Sequence, residues 1–321
     1  MRLPRRAIPR IWSALLPAAP ALAQPAAQPV TLVVPFTPGG AADLAARLLA
    51  QHVPRHLGPD APAILVENRP GASGALGTLA VARARADGIT LLLARVAAAA
   101  ILPATDPRTP YGPADFTWLG LLDENPFVLA VRADAPWPDL AGLLRALRDQ
   151  PGALRFSTAG PATLLDLGVR QLLSLAGLPL DAAQAVPMRG GAEAVAALLA
   201  GAADFVGANL GDAIEGLRAG TLRALVATTP LPGVPDAAES GLPALAELAG
   251  WGALAGPAGM AEELVGRWAA ALAALAQDAA WTAAVRRLGH QPRVLGPVAT
   301  RAHVDSQIAM YRALAQRLGL G

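Results

Sequence analysis

Val33-Val34-Pro35-Phe36-Thr37-Pro38-Gly39-Gly40-Ala41-Ala42-Asp43 decides the fold. The apolar run from Thr31 to Val34 stops at a proline, turns through Pro-Gly-Gly and enters the helical spacing of Leu44, Leu48 and Leu49. Strand, glycine loop and helix start therefore follow one another directly. Glycine lets backbone N–H groups approach a ligand, and a helix N-terminus carries partial positive charge, so an anion is favoured there. A second turn of the same kind follows at Ile64-Leu65-Val66-Glu67-Asn68-Arg69-Pro70-Gly71-Ala72-Ser73-Gly74-Ala75. Two such loops close together predict one binding site made largely of backbone amides.

Working outward, strands are expected at 30–35, 63–67 and 89–93, with helices at 41–57 and 78–85 between them. That β-α-β-α-β order argues for a parallel sheet flanked by helices. Residues 103–115 read as a surface loop and 127–132 as a strand. A second unit of the same kind runs from Leu154-Arg155-Phe156-Ser157-Thr158-Ala159-Gly160 through Gly190-Gly191 to a strand at 222–228. Segment 230–243 is loop, followed by helices at 261–277, 281–288 and 300–318. Trp268 and Trp281 on alanine-rich helices are expected to be core anchors. Strands 127–132 and 223–229 bracket the middle unit, which predicts two lobes joined by two crossing segments and closing over a ligand. Loops 35–43, 68–75 and 157–163 should meet at the carboxyl ends of the strands.

The first residues read as an export signal. Arg2, Arg5, Arg6 and Arg10 form a basic region, 11–21 is apolar but too short to span a bilayer, and Ala21-Leu22-Ala23 fits a cleavage site. Arg5-Arg6 lacks the flanks of a twin-arginine signal, which favours the general secretion route. Loss of those four arginines takes the formal charge from +2 to −2, so the basicity belongs to the signal and no nucleic-acid partner is implied. Cysteine is absent, excluding disulfides, thiolate catalysis and cysteine zinc sites. All 26 basic residues are arginine, which excludes Schiff-base and P-loop lysine chemistry. His52 and His56 have helical spacing without an HExxH pattern, and a solvated helix face is expected for them rather than a metal pair. No cofactor or metal is expected.

Three ordered motifs open the chain: Val33-Pro35-Phe36-Pro38-Gly39-Gly40-Asp43, Glu67-Asn68-Arg69-Pro70-Gly71-Ala72 and Ala86-Asp87-Gly88-x-Thr90-Leu91-Leu92. The series continues through Ala159-Gly160, Val186-Pro187-x-x-Gly190, Ala219-Gly220-x-Leu222-Arg223-Ala224-Leu225 and Gly256-Pro257-Ala258-Gly259. On these residues the chain resembles the Bug family of periplasmic solute receptors, the binding components of tripartite tricarboxylate transporters. The resemblance implies an α/β, two-lobed type II periplasmic binding protein, each lobe a mainly parallel sheet flanked by helices. Residues 1–23 would be the signal peptide, 24–125 plus 228–321 lobe I, and 126–227 lobe II. A monomer would then capture a small organic acid in the periplasm, with backbone amides and water, and hand it to membrane permease subunits.

The expected ligand contacts are Phe36, Pro38, Gly39, Gly40, Ala41, Ala42 and Asp43 from the first loop. Gly71, Ala72, Ser73, Gly74 and Ala75 come from the second, and Thr158, Ala159, Gly160, Thr163 and Asp166 from the other lobe. Asp43 is expected to shape its loop rather than touch a carboxylate. Several cleft positions depart from the family pattern: Ala42, Ala94-Arg95, Ala162, Thr163, Asp166, Met188, and Gly207-Ala208-Asn209, which lacks the family's acid. Arg95 reads equally as a bidentate carboxylate clamp or a snorkelling surface arginine. Asp166 reads as a ligand contact, a partner for Arg95, or a helix cap, and Thr163 as a ligand hydroxyl or the same cap. Ala42, Arg95, Asp166 and Ala208 are where ligand choice is expected to reside. Neither GxSxG nor a paired-carboxylate constellation supports an exported enzyme, and Pro38-Gly39-Gly40 lacks the phosphate-loop ending. A ligand sensor for a membrane signalling protein remains a second reading.

Overall fold

A computed structural model describes residues 28–320; the expected export signal lies outside the described residues. Strand β1 (Val30–Val34) ends at Pro35 and feeds α1 (Ala41–His52). Pro54 removes a helical donor, so α1 tightens into a 3₁₀ turn at Val53–His56 instead of running on to residue 57. Strand β2 (Ile64–Asn68), α2 (Ala75–Ala82) and β3 (Thr90–Arg95) complete the first unit. β1 lies between β2 and β3 and is parallel to both. Leu91, Leu92 and Leu93 are each fully buried, as a strand covered on both faces requires. A π-helical turn, Ala97–Ile101, runs into the short helix α3 (Leu102–Thr105), where a loop was expected from 103.

Strand β4 (Phe116–Arg132) is 17 residues long and carries the chain from one sheet to the other. Helix α4 (Leu140–Asp149), capped by the Asp139 carboxylate, leads to β5 (Leu154–Thr158) and α5 (Leu164–Leu175). Strand β6 (Ala183–Pro187), α6 (Gly191–Leu199), β7 (Phe205–Asn209), α7 (Leu210–Arg218) and β8 (Leu222–Ala227) follow. β5 is flanked by β6 and β7, parallel to both, so the β2-β1-β3 arrangement of the first unit recurs as β6-β5-β7.

The chain returns to the first sheet as β9 (Ala249–Pro257), antiparallel between β3 and β4. Helices α8 (Glu262–Leu275) and α9 (Ala279–Arg287), strand β10 (Gln291–Leu295) and helix α10 (Pro297–Leu318) close the fold. β10 and the first part of β4 are antiparallel, as are the last part of β4 and both β7 and β8. The fold is α/β, but its sheets are mixed: each has a parallel core of three strands edged by antiparallel ones. This corrects the mainly parallel expectation. The sequence reading missed β9 and β10 altogether. Trp268 and Trp281 are buried core residues, Trp281 against the α1 side of the first sheet.

Candidate functional site

Glycine shapes the loop after β1. Gly39 sits at φ +82°, a left-handed conformation that glycine adopts without strain. Its N–H donates to Asp43 Oδ2 at 2.9 Å, and Arg47 Nε donates to the same oxygen at 3.0 Å. Burial pushes the Asp43 carboxyl up, but these donors outweigh it and hold the group below its ordinary value. Asp43 thus braces the loop from within. The Asn68 amide donates to the Phe36 carbonyl at 3.1 Å and ties the first loop to the second.

The first loop meets the second half of the chain at close range. Ala41 N–H, in the first turn of α1, donates to Asp212 Oδ1 at 2.8 Å, and the Asn209 amide donates to Asp212 Oδ2 at 2.8 Å. A Cβ built on Gly190 would stand 2.5 Å from Thr37 Oγ1, and one on Gly191 would stand 2.0 Å from Asp212 Oδ2. The glycine pair opening α6 is therefore what lets the two backbones approach. Across the second loop, Ser73 Oγ donates to the Pro161 carbonyl at 2.7 Å. Ala72, Ser73 and Ala162 hold positive φ without being glycine, and among the described residues this local strain is confined to the two facing turns.

Arg95 ends β3 and is only 4% exposed, so the snorkelling expectation is overturned. Its register partner on β9 is Gly252, whose own partner on β4 is Asp123. A Cβ on Gly252 would fall 2.8 Å from Arg95 Nη1 and 3.1 Å from Asp123 Oδ2. The absent side chain leaves the space in which the two charged groups meet, at 3.5 Å. Asp123 Oδ1 also lies 2.9 Å from His290 Nδ1, His290 Nε2 lies 3.0 Å from the Asn125 amide, and Asn125 Oδ1 accepts from Gly211 N–H at 3.2 Å. Burial pushes Asp123 up, but His290 and then Arg95 outweigh it and hold its carboxyl below the usual range. A buried polar chain thus runs from Arg95 through β4 to the first turn of α7, which also carries Asp212.

Phe36, Gly40, Ala41, Ala42, Arg95, Ala159 and Thr163 come together around one cavity of about 40 Å³ between the two halves. Val96, Gly191, Asn209 and Asp212 complete much of its wall, with Thr37. Ala72, Ser73, Ala75 and Asp166 instead line a larger, more open cleft of about 680 Å³ beside it. Pro38 and Gly39 are exposed, and Asp43 points back into its own loop. Gly71 and Gly74 shape the second turn at positive φ, and Gly160 packs against Ser73. Thr158 is buried within hydrogen-bonding reach of the Gly160 carbonyl, and Ala208 is core in β7. Asp166 is bound by Arg170 at 3.0 Å and its N–H is capped by Thr163, so it neither pairs with Arg95 nor caps α5 itself.

Thr37, Asp123, Asn125, Asp212 and His290 were not singled out from sequence, and Asn209 was named only within the Gly207-Ala208-Asn209 stretch. Asp212 alone carried a visible signal, an acid in the first turn of a helix directly after a strand. His52 is buried, not on a solvated face, and both it and His56 approach the Asp278 carboxylate, at 3.6 and 3.3 Å. Among the described residues no cluster of three metal-ligating side chains occurs, and no helix is long and apolar enough to cross a membrane.

Comparison with known proteins supplies the family. Residues 45–320 match the model of the tripartite tricarboxylate transporter family receptor. A protein of Pseudomonas sp. (strain P51), encoded in the tcbD-tcbE intergenic region, is 35% identical over 247 residues, covering 75% of this chain and 71% of its own. The solved structure of the periplasmic binding protein BugD superposes with a TM-score of 0.84 at 27% identity, covering 91% of this chain and 98% of BugD. MatC from Rhodopseudomonas palustris, solved with bound malate, gives 0.82 at 29% identity, covering 89% of this chain and 98% of MatC. The chain belongs to the tripartite tricarboxylate transporter receptor family, the Bug-type periplasmic solute-binding proteins.

Proposed function

We propose that this protein is an exported receptor that closes on a small carboxylate-containing metabolite and delivers it to a membrane permease. Residues 24–125 with 228–321 act as one lobe and 126–227 as the other, hinged where β4 and the segments after β8 pass between them. The observation that carries the reading is Arg95. Its guanidinium is buried on the cavity wall, and its one side-chain partner among the described residues is Asp123 at 3.5 Å. A buried guanidinium with donors to spare is the group best suited to grip a carboxylate bidentately. The malate bound by MatC, a relative of the same fold, agrees with that ligand class.

Arg95 receives the ligand carboxylate, and Thr163 and the first-loop residues shape the space around it. Asp43 positions its loop. The ligand is bound and released unchanged, and the receptor works as a monomer. A thermal-shift screen against mono- and dicarboxylates, sugars and divalent metals tests this. An organic acid at about 100 times its Kd adds about 2.7 kcal/mol to the folded state, a rise of several degrees in Tm. Stabilisation by a sugar or metal, with none by any organic acid, would contradict the carboxylate reading.

A further inference from the structure

We infer that the ligand is a monocarboxylate whose other end donates a hydrogen bond, and that Asp212 is the residue that selects it. The inference rests on the carboxylate reading of Arg95. An amide at the start of α1, the place where a ligand carboxylate would be drawn, is already taken: Ala41 N–H donates to Asp212 Oδ1 at 2.8 Å. The Asp212 carboxylate lies between the two glycine loops, 3.2 Å from a Cβ placed on Gly40 and 2.0 Å from one placed on Gly191. It lines the same cavity as Arg95, the one basic residue on that wall.

Each Asp212 oxygen accepts one protein donor, Ala41 N–H on one and the Asn209 amide on the other, and a carboxylate oxygen has room for a second. The cavity therefore offers a cation and a carboxylate on one wall. A dicarboxylate places one of its charges near Asp212, where like charges repel. A ligand ending in an amide, hydroxyl or ammonium gives that oxygen a proton instead. The preference is built by penalising the wrong ligand as much as by holding the right one.

The test titrates straight-chain diacids of three to six carbons and their monoamides, which have nearly the same shape, into the wild type, Asp212→Asn, Asp212→Ser and Arg95→Ala. Circular dichroism melts confirm that each variant is folded. The expected result is a monoamide bound about tenfold or more tighter than its diacid by the wild type. Asp212→Asn abolishes or reverses that ratio, because its amide can donate to a second carboxylate, and Asp212→Ser at least flattens it. A wild type that prefers the diacid overturns the inference and leaves the carboxylate reading standing. So does an Asp212→Asn variant that shifts both members of a pair equally. Absence of binding by every acid and every monoamide overturns both readings together.

Discussion

At the scale of single residues, the row Arg95–Gly252–Asp123 is the feature on which the proposed carboxylate binding depends. Gly252 has no steric freedom to spare, since a methyl group would stand 2.8 Å from Arg95 Nη1. Gly252→Ala should therefore turn the guanidinium aside and weaken carboxylate binding by about tenfold, or about 1.4 kcal/mol, in a calorimetric titration. Asp123 is the balancing charge for Arg95 and a hydrogen-bond partner of the His290 ring at a site that is 2% exposed. Asp123→Ala leaves the buried guanidinium without its carboxylate and should cost about 3–5 kcal/mol in urea denaturation. Its native carboxyl titrates below the ordinary 3.8, so its stabilisation is fully present above that value and is lost as pH falls through the lower native one. None of this row was legible in the sequence beyond Arg95 itself. An isolated Gly, Asp and His separated by up to 167 positions acquire meaning only when β9 and β4 are laid side by side.

At the scale of elements, the α6 N-terminus sets how closely the halves approach. Gly190→Ala puts a Cβ 2.5 Å from Thr37 Oγ1, so the closed arrangement should be disfavoured. Small-angle scattering should then give a larger radius of gyration with ligand present than the wild type shows. The anchoring of α9 has its own pH signature. Burial pushes Asp278 up, but Trp281 and Ala280 N–H groups, His56 and Arg55 hold it at about 2. Its contribution is complete above 3.8 and disappears as pH falls towards 2, so the melting temperature of the wild type should drop through that window. Asp278→Asn should start lower at neutral pH and lose less over the same range. The first unit was legible because β1, α1 and β3 have clean periodicities and proline or glycine stops. β9 was not, because glycines at 250, 252 and 256 dilute the strand pattern at the positions where side chains or backbone crowd in. β4 was seen only over 127–132, since Asp123, Glu124, Asn125 and Pro126 interrupt its apolar run at the crossing between sheets.

At the scale of the molecule, two β-α-β units face each other across strand β4, and the glycine loops of each meet at one cavity. The general architecture could be read from loop spacing, but the identity of the anion at the α1 N-terminus could not. That anion belongs to the chain itself, on a helix 171 residues away in sequence. In the proposed function, the ligand's carboxylate is thereby directed to Arg95. The direct test is isothermal titration of the best-stabilising acid into wild type and Arg95→Ala. The account predicts saturable one-to-one binding by the wild type, weakened by about tenfold or more in the variant, which corresponds to at least about 1.4 kcal/mol. Equal affinity of the two proteins for that acid would contradict it.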